Sequence, residues 1–373
     1  MNITFLIGNG FDIGLGLRTS YENFYKEYCK INPYKDNSNI QNFKKLLENR
    51  SNDKYYGIRD WSDFEKAFGE HAEDFLAATK DLYIERFEDF VKAFNKYLED
   101  EEQKANLSDK DSLAEFMKRG INTYYHIREA DKNIFQNIYD RNSTERKYNF
   151  VSFNYTRILD VCARELDNLL KKEKAGLVGQ VIHVHGYIDE SMIMGVNDSS
   201  QIKNPDLAKD ADILMEMVKP QQNIDSRTTY DIKTTDIILK SNIICIYGMS
   251  IGETDKKWWK TILTWLLNDI SHRLIILSYK EEFNKRFTFG NRHFIKPIIE
   301  RFLEYSGATD GQKQTVRERI HVGMNNNVFQ YYLRKNDLIS VYKELFESNE
   351  QKDKSLIDKY AEYAEKTKDL KRF

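Results

Sequence analysis

The chain has 373 residues, 40% of them hydrophobic and 31% charged, enough at about 150 residues per domain for two or so domains with a real core. Lys and Arg number 57 against 59 Asp and Glu, for a formal charge of -2, which excludes the global basic surface that general nucleic-acid binding needs. No run approaches the ~18 consecutive apolar residues of a membrane span and no basic leader precedes the first apolar run, so a cytoplasmic protein without a membrane segment is expected.

Residues 3–7 (Ile-Thr-Phe-Leu-Ile) are a β-prone run that stops at a glycine turn, as a buried strand does. The turn reads Gly8-Asn9-Gly10-Phe11-Asp12-Ile13-Gly14, where glycines let a phosphate approach backbone N–H groups. It lacks the G-x-G-x-x-G spacing, and the following strand with a terminal acid, of dinucleotide-dependent dehydrogenases. Hydride transfer is therefore disfavoured, and a plain glycine turn stays the alternative. From Ser20 to Tyr28, Tyr21, Phe24, Tyr25 and Tyr28 share one face of a helix, the pattern of core packing.

Residues 38–147 are highly charged, with helical periodicity at Phe64, Phe68, Phe75, Leu82, Phe87, Val91, Phe94 and Leu98. This predicts an all-helical block inserted after the first βα unit. Within it, Ser62 and Glu65 follow Trp61 as an S-x-x-E capping box, which gives Glu65 a structural role at a helix start, with a site role as the rival.

Beyond the block, strand-like runs at 148–153, 181–185, 243–247, 273–279 and 319–322 alternate with helical ones near 156–171, 254–270 and 292–305. The alternation predicts an α/β fold: a doubly wound, mostly parallel, Rossmann-like sheet formed by residues 1–37 and 148–347. Residues 199–233 are polar, contain Pro205 and Pro220 and read as a long loop or lid. Residues 348–373 read as a charged terminal helix or tail.

Small polar residues and glycines gather where these strands end. Asn154, in Phe153-Asn154-Tyr155-Thr156, is either a ligand contact or a helix cap. Alternation puts His183 and His185 of His183-Val184-His185-Gly186 on one face. Asn197 lies in Gly195-Val196-Asn197-Asp198, and Gly248 and Ser250 lie in the run from Tyr247 to Gly252, ahead of Thr254 and Asp255, which read as caps of the next helix. No Cys or acidic cluster completes a zinc set around the histidines, so no metal is expected. Cys29, Cys162 and Cys245 form no C-x-x-C pair and read as small buried hydrophobes. Because all these turns sit at the ends of strands in one sheet, they converge on one crevice.

The motifs I-G-N-G-F-D-x-x-x-G-L-x-T-S-Y from Ile7, W-S-D-F-E from Trp61, F-N-Y-T, H-V-H-G and Y-G-M-S-I-G-E-T-D resemble the AbiH family of bacteriophage abortive-infection proteins, over residues 3 to about 325. Their order is also similar to that of a divergent sirtuin-like NAD-binding domain. The resemblance implies a phage-defence protein that hydrolyses NAD or a related nucleotide at the N-glycosidic bond. Gly8, Asn9, Gly10, Phe11 and Asp12 would border the nucleotide, and Asn154 and His185 would flank the scissile bond as catalytic residues. Gly186, Asn197, Gly248 and Ser250 would complete the nucleotide contacts, the last two on the adenosine side. The zinc module of sirtuin deacylases is missing, so lysine deacylation is not implied. The rival reading is a nucleotide-binding sensor whose helical insertion recognises a phage or host partner. A nuclease toxin ranks last, for want of a paired-carboxylate metal motif or a basic patch. The partners implied are a nucleotide, a phage trigger or partner protein, and a second copy of the chain.

Overall fold

The β-branched and aromatic runs pair into one sheet of six strands: β1 (Asn2–Ile7), β2 (Lys147–Ser152), β3 (Leu177–His183), β4 (Ile243–Tyr247), β5 (Arg273–Ser278) and β6 (Ile320–Met324). The computed structural model describes residues 1–30, 37–51, 65, 69, 79–141, 145–188, 190–280, 283, 292–324, 328–329, 331 and 333. The strands lie in the order β3-β2-β1-β4-β5-β6 and all pairings are parallel. The first strand of the chain is thus central, with Phe5 in register with Phe150 on one side and Cys245 on the other. Each expected strand is present, although β3 begins at Leu177 rather than residue 181 and stops at His183.

The helices in chain order are α1 (Gly10–Gly14), α2 (Tyr21–Lys30), α3 (Ser38–Ser51), α4 (Lys80–Gln103), α5 (Lys110–Ile121), α6 (Glu129–Arg141) and α7 (Ile158–Glu173). They continue with α8 (Ala211–Met217), α9 (Lys219–Asp225), α10 (Tyr230–Leu239), α11 (Lys256–Asn268), α12 (Arg292–Tyr305) and α13 (Asp310–Val316). Two layers of them bury the sheet, which is why the strands read as continuous apolar runs. On one face Phe5, Phe150 and Cys245 meet Phe116 and Met117 of α5 and Leu159 and Cys162 of α7. On the other, Leu6, Val151 and Ile246 meet Trp259 and Trp265 of α11 and Phe302 of α12. A third apolar cluster joins the aromatic face of α2 to Phe90 and Phe94 of α4 and to Ile213 and Met217 of α8.

Among the described residues, 38–146 hold α3 to α6, a short 3-10 turn and connecting loops. Within this block α5 and α6 share the core of the sheet through Met117 and Phe135 and help to cover one of its faces. One expectation changes. Residues 199–233, expected as loop or lid, hold short 3-10 turns, α8, α9 and the start of α10. Asp210 caps α8 by accepting the Asp212 and Ile213 N–H groups. Pro220 sits in the first turn of α9, where its missing N–H has no partner to lose. Residues 61–64 with the capping serine, Phe68, Phe75 and the tail 348–373 lie outside the described residues. No helix among the described residues is long and apolar enough to cross a membrane.

Candidate functional site

Chain direction across the sheet reverses between β1 and β4, since β1 leads outward to β2 and β3 while β4 leads the opposite way to β5 and β6. Loops that leave two such strands diverge and open a crevice at their C-terminal ends. Here a crevice of about 960 Å³ is lined by the turns after β1, β2, β4 and β5 and by His185, just past β3.

The turns after β1 and β4 lock together. Gly8 N–H donates to the Tyr247 carbonyl and Gly10 N–H to the Gly248 carbonyl, both at 2.9 Å. A Cβ on Gly10 would stand 2.5 Å from the Gly248 Cα, and Gly248 itself has φ +69°. These glycines line the crevice, but backbone contact between the two turns already accounts for them, without any phosphate. The Asn9 side chain is also engaged locally, since its amide donates to the Thr19 carbonyl at 2.9 Å and accepts from the Thr19 hydroxyl at 2.6 Å.

Asp12 is buried behind the first turn. Its carboxyl accepts the Thr156 hydroxyl at 2.7 Å and the Asn154 amide at 3.1 Å. Burial lifts the Asp12 carboxyl to about 7, against the pull of those two hydrogen bonds. The same Asn154 Nδ2 donates to the Gly8 carbonyl at 3.2 Å. Its Oδ1 is buried and has no partner among the described residues, and Asn154 lines the crevice. Because α7 starts at Ile158 behind Arg157, Asn154 is not its cap.

His183 and His185 occupy different surroundings, contrary to the shared face expected from alternation, because β3 ends at His183 and the chain turns there. His183 is fully buried; Nδ1 bonds the Asn154 carbonyl and Nε2 the Asp160 carboxylate, each at 2.8 Å. His185 packs near Phe153 and Tyr155, with ring centroids at 5.7 and 6.1 Å, and lines the crevice. Burial, with the charges of Lys219 and His183, holds it well below the ordinary histidine range, so it is a neutral imidazole at pH 7.

Three ionisable residues join the crevice: Lys219, which the sequence did not single out, and Glu65 and Asp255, whose reading as caps left a site role open. Lys219 donates to Glu65 at 2.7 Å, with both side chains 7% exposed, and Glu65 also accepts the Gly195 N–H at 3.4 Å. Asp255 lines the same crevice. Burial raises its carboxyl to about 6, opposed by Lys219 and reinforced by Glu65. It stands at the N-cap position of α11 yet makes no capping hydrogen bond, so the cap expectation fails. The signal that marked it was an acid just past the C-terminal end of a sheet strand.

Of the residues expected at the site, Gly8, Asn9, Gly10, Asp12, Asn154, His185, Gly248 and Ser250 line the crevice, whereas Phe11, Gly186 and Asn197 do not. Phe11 is fully buried against Phe329 and Phe116, at 5.6 and 6.2 Å between centroids. Gly186, with φ +70°, backs onto the Ser191 carbonyl. The Asn197 N–H donates to Gln201 Oε1 at 2.7 Å within its own loop. Among the described residues no group of His, Cys, Asp and Glu is placed to hold a metal ion.

A six-stranded parallel sheet covered on both faces, with ionisable groups gathered in a crevice at its chain reversal, defines an α/β protein. Residues 4–276 match the bacteriophage abortive infection AbiH family, and the chain belongs to that family. The match runs from β1 into β5 and so takes in the turns after β1, β2 and β4, together with the residues now added, Glu65, Lys219 and Asp255. Membership gives the chain a role in phage abortive infection. No curated protein matches it.

Proposed function

We propose that the chain acts in abortive infection by hydrolysing NAD or a related nucleotide at its N-glycosidic bond. The observation that carries this reading is the pairing, in one crevice at the chain reversal, of an unpartnered Asn154 Oδ1 with a neutral His185. The strand order β3-β2-β1-β4-β5-β6 is that of doubly wound dinucleotide-binding sheets, which supports a Rossmann-like, sirtuin-like core.

In such a substrate the bond from ribose C1′ to the pyridinium nitrogen breaks with its electron pair going to nitrogen. The base leaves neutral and needs no acid. An oxocarbenium ion develops on the ribose, as in glycoside cleavage generally. Asn154 Oδ1 accepts a hydrogen bond from the carboxamide NH₂ of the base, which holds C1′ in place for attack by a water. His185 takes the proton as the water oxygen bonds to C1′, and the Asp255 carboxylate offsets the developing positive charge. NAD and water thus give ADP-ribose, nicotinamide and a proton.

Chromatography of NAD incubated with the pure chain tests the reading. Nicotinamide release is expected from the parent and should be lost in an Asn154→Ala chain that urea unfolding shows to be folded. Binding without release assigns the chain the sensor's part instead. Neither binding nor release of any nicotinamide nucleotide overturns the reading.

A further inference from the structure

We infer that the floor of this crevice admits a hydrogen-bond-donating group without negative charge, so that a pyridine carboxamide enters as leaving base and a pyridine carboxylate is turned away. The inference rests on the N-glycosidase reading and names the substrate class within it.

What the floor offers is set by which atoms are already engaged. Both functions of the Asn154 amine are internal, to the Gly8 carbonyl and to Asp12. Only Oδ1, an acceptor, remains, buried and without a partner among the described residues. Asp255 adds a carboxylate that makes no hydrogen bond or ion pair within the described residues and lines the same space. The one ammonium nearby among the described residues, Lys219, is held by Glu65 at 2.7 Å, so Glu65, Lys219 and Asp255 together carry net negative charge. His185 is neutral. A cationic pyridinium ring with an amide NH₂ satisfies these acceptors. A carboxylate on that ring would meet Asp255 as a like charge, a contact that is strongly disfavoured in a partly desolvated site.

The opposite end of the crevice has the other sign. Past β5 its wall carries the exposed Arg301, which suits a diphosphate. The polarity directs a dinucleotide base-first toward His185.

The test compares kcat/KM for NAD and for nicotinic acid adenine dinucleotide, reading the released base. The parent should prefer NAD by on the order of a hundredfold or more, and Asp255→Asn should narrow the preference at least tenfold. A parent that cleaves both at equal kcat/KM overturns the inference and leaves the N-glycosidase reading standing. A parent that neither cleaves nor binds either one overturns both. An unchanged preference in folded Asp255→Asn removes Asp255 from the selection.

The parent measured at pH 5 and pH 8 repeats the comparison without a substitution. Around Asp255 the titratable and charged groups are Glu65, Lys219, Tyr155 and His185, while Glu253 and Lys256 on its own segment pair with each other. With its carboxyl at about 6, Asp255 is neutral at the lower pH, so the preference should shrink there. A preference equal at both values overturns the charge-based selection.

Discussion

Gly10 and Gly248 meet backbone to backbone across the chain reversal, with the Gly10 N–H donating to the Gly248 carbonyl and no room for a Cβ between them. This contact holds the β1 and β4 turns at the spacing that shapes the crevice. Gly248→Ala adds a side chain at φ +69° into the Gly10 backbone and should cost about 1 to 3 kcal/mol of stability in urea unfolding. Gly311, in the first turn of α13, has nothing within 4 Å of an added Cβ. Gly311→Ala should leave the midpoint equal or raise it, by up to about 1 kcal/mol. Equal loss from both substitutions would mean that the glycine contact is not special.

The Lys219–Glu65 pair is largely buried, with each side chain 7% exposed. Glu65→Gln leaves an ammonium buried with a neutral partner and should lower unfolding free energy by about 3 to 5 kcal/mol. Adding Lys219→Met to Glu65→Gln should recover part of that loss, because the uncompensated charge is then gone. A double variant less stable than the single one would show that the lysine stem or another contact matters more than the charge.

Asp12 predicts a pH dependence of stability with a definite sign. Its carboxyl lies at about 7 in the folded chain against the ordinary 3.8, so folding favours the protonated form. That contribution is fully present below about pH 4 and is lost as pH rises through 7, amounting to roughly a few kcal/mol. Urea unfolding at pH 5 and pH 8 should therefore show the parent losing more stability with rising pH than Asp12→Asn does. Parallel slopes for the two chains would place the Asp12 carboxyl in its ordinary range.

The two histidines separate activity from stability. His185→Ala should slow nucleotide cleavage by on the order of a hundredfold with little change in melting temperature, because its ring makes only aromatic contacts among the described residues. His183→Ala removes the ring that bonds the Asn154 carbonyl and Asp160 and should lower stability by about 1 to 3 kcal/mol. Matching losses of activity and melting temperature in both variants would make His185 a packing residue.

Much of the sheet was legible because a strand buried on both faces must be an unbroken apolar run. Ile3 to Ile7 and Ile243 to Tyr247 announce themselves that way. The convergence of Gly10, Asn154, His185 and Ser250 on one crevice followed from their places at strand ends. Glu65 and Asp255 were hard to read because each had a sufficient local role by sequence, as a cap, and Lys219 carried no signal at all; only tertiary packing brings the three together. Phe11 misled in the opposite direction: its place in a glycine turn suggested ligand contact, while its ring turns into the core beneath the sheet.

The position of β1 constrains how the protein is made. Both of its neighbours in the sheet come much later in the chain, β2 at Lys147 and β4 at Ile243. At about 5 to 20 residues per second, roughly 10 to 50 seconds pass before the nascent chain can offer β1 its second partner. Asp255 emerges later still. A chain synthesised only as far as β2 therefore has no crevice, because the β1 and β4 turns that shape it have not yet met.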